Sequence, residues 1–576
     1  METQPTQVPG STPRETSGHT RPLMLDRIYA HCVEHPDQVL MTQPVGAGLV
    51  TDITWGQTLD EARRMAAHLK SIQISAGARI AMLAKNSAHF IIAELAIWMA
   101  GGTTVAIFPT ETAANIRYVL EHAEANLLFV GKLDDWERQR VGVPNGLPCI
   151  ALPMAPAKGF DSWADIIERT APLPELPARA ADEVAMLLYT SGSTGQPKGV
   201  MQTFGSITRR SEAVMNDPAT QLPDGVPWRA LSYLPLAHAY ERAALACRVL
   251  YRGDGHLFFG DTQATFMEDL RRARPTVFCS VPRLWLKFQQ GVLAERPEAQ
   301  LEALLDNPAT AADTGREVLA SLGMDEVRNA VSGSAPVAPS LLRWYRRLGL
   351  NMIEGYSMTE DFCLSHRTQP GFSEPGYVGV AAPGVEVRIA DDGEVLIKSL
   401  GAMAGYFKQP ELTAQSFTED GFFRTGDLGE QRPDGQLRLT GRKKELFKTA
   451  KGKYVAPAPI ENKLNAHPMV ELSLVSGAGE PAPYALVVLN EHLRPRLSDP
   501  GLRRSVEAEM VEALAKVNET LVRHERLRML VIASSPWSIE NGCLTPTMKI
   551  KRSRIESDVA DAVSAWYARA EPVVWA

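Results

Sequence analysis

Apolar positions in the first part of the chain recur in two alternating rhythms. Thr54-Trp-Gly-Gln57 has the spacing of a capping box, and Leu59, Ala62, Met65, Ala66 and Leu69 follow at helical intervals, which predicts an amphipathic helix. The pattern then predicts a strand over 79–84, a helix over 87–100, a strand over 103–108, a helix over 112–123 and a strand over 126–130. Such alternation makes a parallel sheet covered by helices. Phe90 to Phe108 approaches the length of a membrane span, but Glu94, Gly101, Gly102 and two threonines interrupt it. It reads instead as a buried helix running into a buried strand.

Residues 147–181 are rich in Pro and Ala without a clear period, which predicts a connection over the surface. A second βα series starts at the apolar run Val184-Ala-Met-Leu-Leu188, with short strands predicted at 231–234, 256–259, 276–280, 328–332 and 351–354. From Gly376 to Leu439 the runs become short and alternating, punctuated by Gly and Asp, as in a small β-rich subdomain. After Gly441-Arg442 come helices at about 457–465 and 502–521 and apolar runs at 484–489 and 527–532. The predicted fold class is therefore α/β. A loose tail, residues 1–21, precedes a large N-terminal domain, 22–441, of layered βα subdomains with the β-rich subdomain at about 376–440. A small C-terminal α/β domain, 442–576, follows.

A chain of 576 residues is too long for one core, which agrees with several folding units. The net charge of −7 gives no sign of a nucleic-acid partner. Six cysteines lie far apart with no C-x-x-C pair, so a disulfide framework or metal knot is not indicated and a reducing, cytoplasmic setting is expected. The first 21 residues lack the basic start and apolar core of an export signal.

The candidate chemistry begins at Tyr189-Thr-Ser-Gly-Ser-Thr-Gly-Gln-Pro-Lys-Gly199. Gly192 and Gly195 let backbone N–H groups converge on an anion, with the hydroxyls of Thr190, Ser191, Ser193 and Thr194 beside them and Lys198 adding a mobile positive charge. A helix over Phe204 to Met215 would complete a strand, loop and helix arrangement suited to phosphate. The Walker pattern fails, because Gly199 follows Lys198 where Ser or Thr is required. Taken alone, such a stretch reads equally as a flexible turn.

Five further stretches are weak singly. In Asn351-Met-Ile-Glu-Gly-Tyr-Ser-Met-Thr-Glu360, Tyr356 can stack on a purine, Thr359 can touch a phosphate and Glu360 can hold Mg²⁺; the bland alternative is a solvated turn. Gly333-Ser334 offers a small-residue edge to an adenine. Asp427, after a tight turn, can accept both hydroxyl hydrogens of a ribose, or be an ordinary turn aspartate. Gly441 to Lys453 carries six basic residues, which reads alone as a solvated face or a nucleic-acid patch. Lys549 sits in a Pro-interrupted loop, Leu544-Thr-Pro-Thr-Met-Lys-Ile-Lys-Arg552.

In this order the stretches resemble the adenylate-forming superfamily of acyl-CoA synthetases, luciferases and peptide-synthetase adenylation domains, from about residue 25 to the end. Leu234-Pro-Leu-Ala-His-Ala-Tyr-Glu-Arg242 and Phe447-Lys-Thr-Ala-Lys-Gly-Lys-Tyr-Val-Ala-Pro-Ala-Pro-Ile-Glu461 are most similar to the long-chain fatty acyl-CoA synthetases. The resemblance implies a fatty acid activated by ATP with Mg²⁺ as acyl-AMP, then passed to CoA. Thr190 to Lys198 would hold the β- and γ-phosphates, Thr359 the α-phosphate and Glu360 the Mg²⁺. Gly333, Ser334 and Tyr356 would line the adenine pocket, Asp427 would bind ribose, and Arg442 would lie near ribose and phosphate. Lys549 matches the adenylation lysine, Lys444 the hinge about which the mobile C-terminal domain turns, and Lys448, Lys451, Gly452, Lys453 and Tyr454 the CoA path. His238 falls in the acyl-pocket motif, near the carboxylate or at a gate, unless it is simply a core histidine. A substrate that partitions into lipid suits peripheral membrane contact, although no amphipathic basic helix stands out.

Ser357 stands where many relatives have Gly, and no long insert separates Asp427 from Tyr454 of the kind that resembling acyl-AMP ligases use to exclude CoA. Transfer of acyl-AMP to a carrier-protein thiol, or closure of a hydroxy acid to a β-lactone, is the alternative fate. A non-catalytic nucleotide-binding protein is a third reading.

Overall fold

In a computed structural model of the chain, residues 22–191, 196–369, 374, 376–545 and 547–576 are described. The predicted tail and Gly192, Ser193, Thr194 and Gly195 lie outside them. Two compact units partition the chain. The first runs to Val337 and adds Leu341–Val387 and Leu396–Arg424; the second is Ala338–Ser340, Arg388–Val395 and Thr425–Ala576.

The first unit is built on an eight-stranded sheet in the order Gly405–Tyr406, Pro197–Thr203, Val184–Ser191, Thr103–Ile107, Arg79–Leu83, Ala125–Val130, Cys149–Ala151 and Asp161–Ser162. From Val184–Ser191 to Asp161–Ser162 all pairings are parallel. Strand Arg79–Leu83 shows why both faces need cover: Ile80 and Met82 enter one core cluster, Ala81 and Leu83 the other. The helix Ala88–Met99 is buried all along its length and pinned by Trp98 Nε1 donating to the Ala185 carbonyl at 2.9 Å. It runs into the buried strand Thr103–Ile107, as the sequence predicts. No helix among the described residues is long and apolar enough to cross a membrane. The capping box forms at Trp55–Ser71, with Gln57 N donating to Thr54 Oγ1 at 3.2 Å and Thr54 N to Gln57 Oε1 at 2.8 Å.

Two more sheets complete this unit. One has the order Trp228–Ser232, Gly255–Phe259, Val39–Gly46, Leu49–Thr54; the other Val277–Ser280, Asn329–Ser332, Met352–Tyr356, His366–Arg367, Val380–Ala381. The β-rich stretch forms a four-stranded sheet of Val385–Ile389, Glu394–Ser399, Phe423–Gln431 and Leu437–Arg442. The second unit has its own sheet, Val470–Ser476, Tyr484–Leu489, Leu530–Ile532 and Val573–Trp575, with a core on each face.

Three expectations need correction. The stretch 147–181 is not merely a surface connection: Cys149–Ala151 and Asp161–Ser162 extend the large sheet, and Trp163–Arg169 is a helix whose N-cap Ser162 accepts from Asp165 N at 3.2 Å. Seven residues are too few to show a helical period, and tertiary packing carries the helix, with Trp163 and Ile166 buried. The strand expected at 231–234 is Trp228–Ser232, because the Leu234 carbonyl leaves the ladder to accept from Asn86 Nδ2 at 2.6 Å. Finally, strand and helix do not flank the phosphate loop directly. Val184–Ser191 pairs antiparallel with Pro197–Thr203, and the helix Phe204–Met215 starts only after that second strand.

Candidate active site

Within the first unit, the hairpin register sets Thr190 opposite Lys198 and Ser191 opposite Pro197. Pro197 opens its strand, where a missing N–H is tolerated. Gly199 lies in a tight space, since a Cβ there would be 3.2 Å from the Tyr189 ring and 3.4 Å from Phe407 Cβ. Gly405–Tyr406 adds to the hairpin's outer edge, with Tyr406 opposite Val200. This places the Tyr406 ring beneath Lys198, whose Nζ lies 5.2 Å from the ring centroid.

The same tyrosine reaches the second motif. Tyr406 OH donates to Glu360 Oε1 at 2.8 Å, and Met403 N donates to the Glu360 carbonyl at 2.7 Å. Burial first, and then the Glu360 charge, raise the Tyr406 pKa, so the phenol stays protonated and remains a donor. Gln202, on the hairpin's second strand, donates from Nε2 to the Thr359 carbonyl at 3.0 Å and accepts from Ser206 Oγ at 2.8 Å. Lys198, Thr359 and Glu360 are thereby gathered around one sheet edge. Asp361, next in the chain, is buried, which pushes its carboxyl up to about 7.

Tyr356 ends the strand Met352–Tyr356, its ring 5.9 Å from that of His366. Gly333 follows the neighbouring strand, its N–H donating to the Ser280 carbonyl at 3.2 Å, and a Cβ there would come within 3.3 Å of the Tyr240 ring. Ser334 holds φ 70°, a left-handed conformation unusual for serine that exposes the edge after the strand. His238 caps the turn Ala239–Glu241, its Nδ1 accepting from Tyr240 N at 3.1 Å. That contact assigns the proton of the neutral ring to Nε2. The His238 ring lies 6.2 Å from Phe108.

In the second unit, Asp427 and Arg442 face each other across antiparallel strands and pair at 2.8 Å, Nε to Oδ1. Asp427 is buried while the Arg442 side chain is 59% exposed. The turn before Asp427 is fixed by Thr425 Oγ1 donating to the Val395 carbonyl at 2.7 Å, Gly426 N donating to Glu394 Oε1 at 3.0 Å, and Asp427 N donating to Thr425 Oγ1 at 3.0 Å. Gly426 holds φ 72°, which suits glycine. Lys444 is exposed on the turn Lys443–Glu445.

Lys448 and Tyr454 flank a small hairpin, Phe447–Lys448 against Tyr454–Val455, whose loop presents Lys451, Gly452 and Lys453 to solvent. Lys448 Nζ lies 5.6 Å from the Tyr454 ring centroid. Lys549 sits on a loop between the bridged residues Leu544 and Ile550, its N–H donating to Thr545 Oγ1 at 3.1 Å and its carbonyl accepting from Thr545 N at 2.8 Å. The side chain is exposed.

Among the described residues no group of three or more His, Cys, Asp or Glu is placed to hold a metal ion by itself. A single carboxylate such as Glu360 fits Mg²⁺, which binds through one or two carboxylates and the phosphates of its nucleotide. Tyr406 and Gln202 are the contributors that sequence reasoning missed. Each acts over a long separation in the chain and belongs to no local spacing pattern.

A family model described as AMP-binding enzyme matches residues 28–407, and one described as AMP-binding enzyme C-terminal domain matches 445–571. The long-chain-fatty-acid–CoA ligase FadD15 of Mycobacterium bovis is 31% identical over 94% of this chain and 96% of its own length. The peroxisomal long chain acyl-CoA synthetase 7 of Arabidopsis thaliana is 27% identical over 94% of this chain and 86% of its own. Among solved structures, the adenylation domain of a carboxylate reductase from Mycobacterium chelonae superposes with a TM-score of 0.79 at 22% identity, covering 96% of this chain and 92% of that one.

Proposed function

The chain belongs to the AMP-binding enzyme family, and on that premise we propose that it is an ATP-dependent fatty acyl-CoA ligase. A carboxylate is a poor acyl donor because oxide would have to leave. Attack of a carboxylate oxygen on the α-phosphorus of ATP expels pyrophosphate and leaves an acyl-AMP, from which AMP departs readily when a thiol attacks the acyl carbon. The first step brings an anion to a polyanion, so the site must supply positive charge and alignment. The observation that carries this reading is that one residue, Tyr406, meets both Lys198, over its ring, and Glu360, at its hydroxyl.

In this reading Thr190, Ser191, Gly192, Ser193, Thr194, Gly195 and Lys198 hold the β- and γ-phosphates and Thr359 the α-phosphate. Gly333, Ser334 and Tyr356 receive the adenine, and Asp427 the ribose, with Arg442 fixing the Asp427 carboxylate. Mg²⁺ held at Glu360 would neutralise phosphate charge. Lys549 neutralises the charge that develops between carboxylate and α-phosphate. Residues 442–576 act as a domain that turns at Lys444 between the steps, exchanging Lys549 for the Lys448 to Tyr454 hairpin, whose Lys448, Lys451 and Lys453 charges suit the phosphates of CoA. His238 lies on the acyl side. A lipid-partitioning substrate makes peripheral contact with a membrane surface part of the same reading.

The experiment is AMP formation from ATP by the purified protein across acids from acetate to long-chain fatty acids, each with and without CoA. CoA-dependent turnover that peaks with longer acids is expected. Acid-dependent pyrophosphate release that CoA leaves unchanged would overturn the second step and direct attention to carrier-protein thiols and hydroxy acids.

A further inference from the structure

The strand that carries Tyr406 is only two residues long, Gly405–Tyr406, and pairs Gly405 with Met201 and Tyr406 with Val200. Phe407 N then donates to the Gly199 carbonyl at 2.8 Å, and the chain turns away at Lys408, whose φ of 56° is a left-handed conformation unfavourable for lysine. Such a conformation persists only where the surroundings fix it. The support for this edge lies on the face of the sheet turned away from the proposed nucleotide site.

Successive side chains of a strand point to opposite faces. By register, Lys198 and Tyr406 share one face, and Tyr189 and Phe407, which flank Gly199 on either side, share the other. The burial agrees, since Tyr189, Met201 and Phe407 belong to one apolar cluster and Leu188 to another. On that second face stands His122, the last residue of the helix Ala113–His122. Its Nδ1 shares a hydrogen bond of 2.8 Å with Tyr189 OH. Its ring meets those of Tyr189 and Phe407 edge-on, each at 5.8 Å between centroids, and Tyr118, one helical turn earlier, stacks on it at 5.3 Å.

His122 thus touches the first hairpin strand through Tyr189 and the Tyr406 segment through Phe407. Burial, and then the Lys408 charge, lower its pKa against the pull of Glu124, so the ring is neutral at pH 7. Two ion pairs lie beside it, Lys408 with Glu124 at 2.8 Å and Arg79 with Glu124 at 2.9 Å. The Glu124 side chain is 60% exposed, and pairs so exposed contribute little. The ring contacts of His122 therefore carry the support.

We propose that His122 is a positioning residue for adenylation: it clamps Tyr189 to Phe407 from the far face of the sheet and so fixes Tyr406, and through Tyr406 both Glu360 and Lys198. This rests on the reading that assigns Lys198 to phosphate and Glu360 to Mg²⁺. A clamp of this kind serves the triphosphate and its metal, and leaves the adenine and ribose contacts alone. Loss of His122 should therefore weaken ATP and spare AMP, which brings neither the β- and γ-phosphates nor their metal.

The test is calorimetric binding of ATP with Mg²⁺, and of AMP, to the native protein, His122→Ala and His122→Phe. In His122→Ala the Kd for ATP should rise about tenfold, the scale on which an orienting outer contact acts, while that for AMP stays within about twofold. His122→Phe keeps the ring and should lose less. In a protein already carrying Tyr406→Ala, adding His122→Ala should weaken ATP by no more than about twofold, because the residue it acts through is gone. Unchanged ATP affinity in His122→Ala, equal weakening of ATP and AMP, or full additivity with Tyr406→Ala would overturn the clamp. Thermal melts show whether each variant is folded; should His122→Ala not fold, Phe407→Leu, which removes the ring that His122 meets, is read by the same ATP and AMP criteria. The ligase reading fails separately, if no acid is turned over with CoA while ATP binding still responds to these variants as described. A native protein that does not bind ATP would overturn both.

Discussion

Tyr406 holds Glu360 by a hydrogen bond of 2.8 Å while its ring underlies the Lys198 ammonium. One side chain thus sets the carboxylate assigned to Mg²⁺ and the cation assigned to phosphate. Tyr406→Phe keeps the ring and removes the donor, so Glu360 should lose its orientation while Lys198 keeps its support. Adenylation should fall roughly tenfold, with a higher Mg²⁺ requirement, as expected when a group that orients a metal ligand is lost. Pyrophosphate release titrated against Mg²⁺ measures both.

Lys549→Ala should reduce acyl-AMP formation by about a hundredfold or more, the scale of losing one aimed charge in the transition state. Conversion of supplied acyl-AMP to acyl-CoA should continue, since the proposed mechanism assigns that step to the Lys448 to Tyr454 hairpin instead. The two half-reactions, run separately by stopped-time chromatography, decide it; equal loss in both would remove Lys549 from the first step.

Burial pushes the carboxyl of Glu241 from 4.5 up to about 8, even though Ser232 Oγ donates to its Oε1 at 2.6 Å. The raised folded value means that the native state keeps the proton between these two pH values while the unfolded chain has released it. Stability is therefore full below 4.5 and declines as pH rises towards 8. Glu354 and Asp361, both raised to about 7 by burial, act with the same sign. Glu241→Gln should flatten the decline of Tm across that window, and an unchanged slope would show that Glu241 does not titrate there.

Arg242 and Glu94 form an ion pair with side chains 0% and 2% exposed, and Arg242 Nε also donates to the Leu236 carbonyl at 2.9 Å. Breaking such a pair from one side leaves a buried charge alone. Glu94→Ala should cost about 3–5 kcal/mol in denaturant unfolding, and the double replacement by Leu and Met should recover much of it.

Much of the fold was legible because it is written locally. The apolar run of Ala88–Met99 and the alternation of strands and helices after it need no distant partner to be read. The hairpin strand Pro197–Thr203 escaped because a leading proline, Lys198 and Gly199 dilute its strand pattern, and pairing with Val184–Ser191 decides its state. The helix at Trp163 escaped because its support is tertiary, including Trp163 Nε1 donating to Glu61 Oε2 at 2.8 Å. The same distinction divides the site. Lys198, Glu360 and Asp427 lie in short motifs, whereas Tyr406 and Gln202 acquire their roles from partners 46 and 157 residues away.

The most direct measurement follows the oxygen atoms. With a fatty acid labelled with heavy oxygen in its carboxylate, a single turnover with ATP and CoA should place one labelled oxygen in AMP, detected by mass spectrometry, and leave the other in the acyl-CoA. Label in inorganic phosphate or pyrophosphate, with AMP unlabelled, would contradict attack on the α-phosphorus.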